Sequence, residues 1–330
     1  MASPHDPAPL AVIGGGLAGT IAARSWLEAG QSAVLFDKGR GPGGRMSTRR
    51  SGPFDHGAQY FTAQSPGFQD QVAAWLTEGI VAPWPLRLGV SDASGLRPKP
   101  DARTRYVGTP GMSSLIAHLT AELDAHFNHR VTALQHHDGQ YILQLEDGSR
   151  RSALNVVLAL PAPQAADLLQ FSPALQARVQ AVPMTPCWAV MVHMQSRLPV
   201  ELDGIFVNAG PLSWAARDSS KPGRGGTERW VLHGSTEWSQ RHLEDEPSEV
   251  IAALVAALGS LTSATPQIES AQAHRWRYAR CASPLQDGLL YEPALPGLAV
   301  AGDWCAGDKV EGAYKSGMAA ALHLLKRARL

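Results

Sequence analysis

Cysteine is scarce in this chain. Only Cys187, Cys281 and Cys305 occur in 330 residues, an odd number with no C-x-x-C. The sequence therefore offers neither a disulfide framework nor a cysteine-based metal site, and it suits a reducing, cytoplasmic compartment. Uninterrupted apolar runs are short of the ~18 residues a membrane span needs, so no membrane association is expected. The first nine residues, MASPHDPAP, are proline-rich and lack the apolar core of a signal peptide. An excess of charge of one sign is absent as well. Lys plus Arg number 29, Asp plus Glu number 29, and the net charge is zero, which argues against a nucleic-acid-binding surface. With 44% hydrophobic residues a large core can be buried, and the length favours two domains.

The pattern that organises the rest lies near the start. Leu10 to Ile13 is an apolar run of strand length, and Gly14-Gly15-Gly16-Leu17-Ala18-Gly19 follows at once as G-x-G-x-x-G. Leu17 to Ala29 has helical spacing and is closed by Gly30. Ala33 to Phe36 is a second strand ending at Asp37. In such a unit Gly14 permits the tight turn, Gly16 lets a diphosphate approach the backbone, and Gly19 lets helix and sheet pack closely. The helix amino end, with Leu17 and Ala18, offers N–H groups and partial positive charge. Asp37 lies 18 residues after Gly19, near the roughly 20 expected of an acid that bonds a ribose hydroxyl. The bland alternative is a glycine-rich turn in an ordinary βαβ unit.

Beyond Asp37, Lys38 to Arg50 is a glycine-rich loop in which Arg45 could pair with phosphate; a solvated basic loop is the alternative. In Phe54 to Phe61, Gly57 among polar and aromatic residues suggests backbone pressed against a flat ligand, unless Tyr60 and Phe61 are simply core. Phe68 to Glu78 reads as a helix, 80–105 as short strands and turns crossing into a second domain, and Ser113 or Ser114 as the cap of a helix reaching His126. Strands follow at Val131–Leu134, Tyr141–Leu145 and Asn155–Leu160, with turns at Asp138-Gly139 and Asp147-Gly148 between them. Strands at Cys187–Met194, Trp230–His233 and His274–Ala279, with a helix over Glu249–Leu261, form the second domain. Between them Leu212 to Arg224 reads as a substrate-facing loop or an exposed hairpin tip. Leu298–Ala301, Gly302-Asp303 and a helix from Val310 to Leu322 return to the first domain. The expected fold is α/β: a Rossmann-like nucleotide-binding domain over 10–82, 106–164 and 284–330, with an inserted α+β domain on an antiparallel sheet over 83–105 and 165–283.

GGGLAG with Asp37, the GGRM loop at 43–46 and the carboxy-terminal strand–GD–helix together resemble the FAD-binding fold of the glutathione-reductase and amine-oxidase superfamily. Within it, the chain looks most like the bacterial renalases. The residues that carry this are DKGRGPGGRMSTRR (37–50), FDHGAQYFT (54–62), YVGTPGMSSL (106–115), LSWAARDSSKPGR (212–224), HRWRYA (274–279) and GDWCAGDKVEGAYKSGMAAA (302–321).

The resemblance implies that FAD is held by Gly14, Gly16, Gly19, Asp37 and Lys38 at its adenosine and diphosphate end. Val131 would meet the adenine through its backbone. Arg45, Met46, His56, Gly57, Ala58, Gly302 and Asp303 would serve the rest of the cofactor, with Val310 and Ala313 from the last helix. Gln59, Tyr60, Phe61, Thr62, Tyr106, Trp214 and Tyr278 are candidate substrate contacts, ordinary core packing being the alternative for each. The implied reaction oxidises 2- or 6-dihydro isomers of NAD(P)H, hydride passing to FAD and then electrons to O2, giving H2O2. The donor is already strong, so no catalytic base is required, consistent with the lack of a Ser–His–Asp or Cys–His constellation. A flavin amine oxidase is the main rival; Arg217, Lys221 and Arg224 favour a phosphate-bearing substrate over a neutral amine. A carotenoid- or porphyrinogen-type oxidase is disfavoured by length, a nicotinamide dehydrogenase by the GD–helix, and an FAD-binding protein without turnover remains a third class.

Overall fold

The structure is a computed structural model, which describes residues 7–307 and 309–328. Residues 1–6, the bulk of the proline-rich start, and Asp308 of the GD loop lie outside the described residues.

The first sheet is five-stranded and wholly parallel, in the order Leu298–Val300, Val156–Leu158, Leu10–Ile13, Ala33–Asp37, Asp124–Phe127. Its residues alternate between two cores, as a pleat demands. Leu10, Val12, Leu35, Val157 and Ala299 face the helices Leu17–Glu28 and Val310–Ala328. Ala11, Ile13, Phe36, Val156 and Val300 face a small antiparallel sheet and the helices after it. The first and last helices approach very closely: a Cβ on Gly317 would stand 2.2 Å from the Ala18 carbonyl oxygen. This places the amino ends of both helices beside the same opening.

The second sheet has seven strands, in the order Ile268–Cys281, Met184–Met194, Arg229–Gly234, Leu212–Arg217, Gly204–Val207, Leu88–Asp92, Gly95–Pro98. Every pairing is antiparallel except Gly204–Val207 with Leu88–Asp92. Helix Pro247–Thr262 covers its outer face through Val250, Leu254 and Leu258. A further apolar cluster joins the two sheets, with Leu17, Met46 and Phe61 from one side and Trp214 and Ala216 from the other.

Three local expectations are corrected. The helix expected to reach His126 ends at Thr120, and Asp124–Phe127 instead forms the edge strand of the parallel sheet. Its amino end is not capped by Ser113 or Ser114. Asp55 accepts the Met112 N–H at 3.0 Å and Thr48 Oγ1 the Ser113 N–H at 3.1 Å. Both caps are tertiary and leave no local signal. Asp147-Gly148 turns into a short polar strand, Arg150–Ala153, that pairs back on Gln140–Leu145.

Candidate active site

Two cavities lie along the carboxyl end of the parallel sheet, where strand ends and helix amino termini converge. The smaller, about 190 Å³, is lined by Gly14, Asp37, Lys38 and Val131. Gly14 has φ +113, and a Cβ there would sit 2.4 Å from the Ala159 carbonyl oxygen, so only glycine makes this turn. Asp37 accepts the Gly15 N–H at 2.5 Å and the Gly39 N–H at 2.6 Å. One carboxylate thus ties the glycine turn to the following loop, and each oxygen keeps a lone pair for a ligand hydroxyl.

The larger cavity, about 710 Å³, runs between the two sheets. Gly16, Leu17 and Ala18 line it. A Cβ on Gly16 would meet nothing within 4 Å, whereas one on Gly19 would stand 1.9 Å from the Gly14 carbonyl oxygen. Gly16 therefore keeps backbone open to a ligand, and Gly19, which lines neither cavity, serves packing. No side chain caps the helix at Gly16 and no acid stands in its first turn, so its N–H groups are left for an anion.

Arg45, Met46, Gly57, Ala58, Gly302, Asp303, Val310 and Ala313 also line the larger cavity. Arg45 and Asp303 are paired with one another: Nη1 reaches Oδ2 at 2.9 Å and Nη2 reaches Oδ1 at 2.5 Å. The fork joins the GGRM turn to the carboxy-terminal GD turn across 258 residues. Gly57 is pressed against protein: its Cβ would stand 2.0 Å from the Arg45 carbonyl oxygen, and Ala58 N–H donates to that same oxygen at 2.8 Å.

Of the substrate candidates, Gln59, Tyr60, Phe61, Thr62 and Trp214 line the cavity, and Tyr106 and Tyr278 do not. Tyr106 packs behind Phe61, ring centroids 5.7 Å apart. Tyr278 is displaced by an irregularity. Its strand slips register between the Thr185–Arg280 and Cys187–Trp276 pairs, so Trp276, Ala279 and Arg280 face the cavity instead. His56 stands one layer back, its carbonyl accepting from Trp276 Nε1 at 3.0 Å and bonding His233 Nε2 at 3.2 Å.

Sequence reasoning missed Arg103, Arg105, Phe206, His233, Trp276 and Arg280, all of which line the cavity. Trp276 and His233 lay inside strands already identified, and Arg280 directly follows one; for Phe206 no local signal exists, because only the sheet order brings it there. Cys187 lines the wall too, with its thiol pushed up to about 12 by burial. Burial likewise lowers His233 to about 4 and His56 to about 3. At neutral pH the wall therefore presents neither a thiolate nor an imidazolium.

Arg217, Lys221 and Arg224 correct the expectation most sharply. Leu212–Arg217 is an interior strand, neither a substrate loop nor an exposed tip, and none of the three cations lines the cavity. Lys221 Nζ lies 3.2 Å from Asp55 and 2.8 Å from Asp218, and Arg224 reaches the same two carboxylates at 2.6 and 3.0 Å. All four side chains are 0–1% exposed. Arg217 is buried over the Trp230 ring beside Asp203 and Glu228. These charges hold the cavity wall from behind.

The fold and this cavity define a flavoprotein oxidoreductase. The model of the flavin containing amine oxidoreductases matches residues 85–325, and that of an NAD(P)-binding Rossmann-like domain matches 12–78. The chain belongs to the flavin containing amine oxidoreductase family, and its cofactor is FAD. The residues fit that cofactor: the open backbone at Gly16, the uncapped helix beside it and the Asp37 carboxylate are the groups a dinucleotide diphosphate and ribose require.

Among individual proteins, the chain is similar to the renalase of Mus musculus, 24% identical over 343 residues that cover 96% of this chain and 98% of the mouse protein. Its fold matches an Exiguobacterium sp. 255-15 protein assigned as a protoporphyrinogen oxidase, with TM-score 0.80 at 15% identity over 99% of this chain and 100% of the other. It also matches cyclohexylamine oxidase from Brevibacterium oxydans IH-35A, with TM-score 0.77 at 13% identity over 98% and 100%. Since the Exiguobacterium chain is covered end to end, length does not separate this chain from proteins so assigned. Among the described residues no helix is long and apolar enough to cross a membrane, and no His, Cys, Asp and Glu group could hold a metal.

Proposed function

We propose that the protein oxidises 2- and/or 6-dihydro isomers of NAD(P)H to NAD(P)+. The observation that carries this reading is the charge of the cavity wall. Among the described residues Arg45, Arg103, Arg105, Lys309 and Lys315 line it beside Asp303 and Glu311, with Asp101 bonded to Arg103 and Arg105, so the wall is net positive in a chain whose net charge is zero. A positive wall attracts anionic molecules and repels an ammonium ion. The end-to-end likeness to a renalase supports the same substrate class.

When bound, FAD would supply the two-electron acceptor, with O2 as final oxidant taking the hydride's electrons and a solvent proton to give H2O2. The protein's part is positioning. Tyr60, Phe61, Phe206, Trp214 and Trp276 give flat apolar surface against which a nicotinamide ring can be held. The protonated Cys187 thiol is a poor nucleophile, and burial leaves neutral His233 a weak base. Neither is called for, since no proton leaves the carbon with the hydride.

Anaerobic flavin reduction tests the reading. The purified holoenzyme is mixed with borohydride-reduced NAD, with pure 4-dihydro NADH and with a simple aromatic amine. We expect bleaching by the isomer mixture alone. Bleaching only by the amine would move the protein to the amine oxidases, and bleaching by none would leave an FAD-binding protein whose substrate must be sought afresh.

A further inference from the structure

Asp101-Ala102-Arg103-Thr104-Arg105 is irregular chain between the seven-stranded sheet and strand Tyr106–Gly108. Asp101 Oδ1 accepts the Arg103 N–H at 3.0 Å, and the side chains of Asp101, Arg103 and Arg105 converge. The Asp101 carboxylate takes Arg103 Nη2 at 2.8 Å and Nε at 3.1 Å, and Arg105 Nη2 at 2.8 Å. Two guanidiniums thus share one carboxylate, and the group keeps a positive charge.

The two arginines differ in setting. Arg105 is 4% exposed, stacks over the Tyr60 ring at 5.1 Å, and its buried Nε has no hydrogen-bond partner among the described residues. The Arg103 side chain is 65% exposed, and its Nη1 makes no hydrogen bond among the described residues. Both line the cavity, as does Tyr60 beneath Arg105. A guanidinium fixed by one carboxylate, with a free edge on a cavity, has already lost the rotamer freedom it would lose on binding a phosphate.

We propose that Arg103 and Arg105, braced by Asp101, form a phosphate subsite at the cavity, and that it takes the diphosphate of the nicotinamide dinucleotide substrate while the nicotinamide lies deeper, past Tyr60. This rests on the function proposed above. It makes Arg103 a specificity-determining residue: it distinguishes dinucleotides from the bare riboside and takes no part in hydride transfer.

The test uses FAD-loaded enzyme and Arg103→Gln, a change on an exposed side chain. The dihydro isomers of NAD, NADP and nicotinamide riboside are compared as reductants, and calorimetry measures binding of oxidised NAD and nicotinamide riboside. For R103Q we expect KM for dihydro-NAD and Kd for NAD to rise about tenfold, the value of one charge-assisted hydrogen bond. We expect kcat, FAD content and every riboside value to be unchanged, and Arg103→Lys to recover part of the loss. Raising ionic strength should weaken NAD binding to wild type more than to R103Q. An effect seen only with NADP would place the 2′-phosphate, not the diphosphate, on Arg103 and overturn the assignment as stated. Equal losses for riboside and dinucleotide, no change at all, or loss of FAD would overturn it as well. Arg103-dependent NAD binding without bleaching by any dihydro isomer would leave the subsite standing and remove the reaction. Bleaching that is indifferent to Arg103 would do the reverse.

Discussion

The two cavities were assembled in different ways. The smaller has its glycine turn and its acid in one βαβ unit, Ile13 to Lys38, with further walls from residues 129–132 and from Leu160, Gln164, Asp167 and Leu168. Its geometry is backbone geometry: a glycine at φ +113 and an aspartate bonded to N–H groups within 22 residues. The larger cavity draws on segments from Gly16 to Lys315, and its key contacts span 258 residues between Arg45 and Asp303 and 220 between His56 and Trp276. Contiguous construction gives a site that is common to many cofactor users. Distributed construction lets each wall vary independently, which is where substrate choice resides.

The largest test of this contrast lies within the glycine motif itself. Gly19→Val would drive a Cβ into the Gly14 carbonyl oxygen, a backbone atom of a strained turn that cannot yield, with the Ala159 and Val12 side chains at 3.0 and 3.1 Å. We expect no folded protein, or a loss of stability exceeding about 3 kcal/mol. Gly16→Val meets open space. It should fold and melt close to the apo wild type while losing FAD, seen as a colourless purified protein. If both variants lost only FAD, the distinction between packing and ligand glycines would fail.

Asp55 tests the distributed side. Burial pushes its pKa up, yet Lys221 and Arg224 together with the Met112 N–H bring it below the usual 3.8. Asp55→Asn leaves two buried cations on one remaining carboxylate and should lower the unfolding free energy by about 3–5 kcal/mol. Because the folded pKa is depressed, this contribution is present above pH 3.8 and is lost as pH falls below it. Denaturant midpoints at pH 7 and pH 3 should therefore differ less for D55N than for wild type. The flavin spectrum should also shift, since Asp55 opens the segment that lines the cavity through Gln59 and Phe61.

The same contrast explains what was legible in the sequence. Strand, turn, helix and acid in Leu10–Asp37 follow from local spacing, and the structure returns them within a residue. The cations of 212–224 were visible as residues, but their positions were not. A Lys and an Arg in a flexible-looking segment read as surface until Asp55, 166 residues away from Lys221, is placed against them. Strand Asp124–Phe127 carries no apolar run, because it lies at the sheet edge where exposure is permitted. Asp101, Arg103 and Arg105 alternate in the sequence, yet without Tyr60 beside them the alternation names no partner.

A gentler probe of the wall is acid. His233, His56 and His274 are lowered to about 4, 3 and 4, burial being the first cause in each. The unfolded chain binds protons near pH 6.5 where the native state does not, so stability should fall as pH drops from 6.5 toward 4. His233→Asn should remove part of that slope and leave stability at pH 8 less affected. A slope unchanged by H233N would mean that His233 is protonated in the folded protein.

The smallest expected effect belongs to Trp214, and it is the sharpest on function. Its ring packs at 5.7 Å from Tyr60 and 4.8 Å from Phe206, and a Cβ on Gly204 would meet it at 2.6 Å. The residue lines the cavity, and its Nε1 is buried with no partner among the described residues. Trp214→Phe removes that orphan donor together with some apolar area. The two opposing changes should keep stability within about 1 kcal/mol of wild type. If the N–H is held for a ligand, KM for the dihydro isomer should rise about two- to tenfold with kcat little changed, the signature of a contact made equally before and during the reaction. An unchanged KM would assign the indole to packing alone and leave discrimination on this wall to the aromatic faces and the arginine pair.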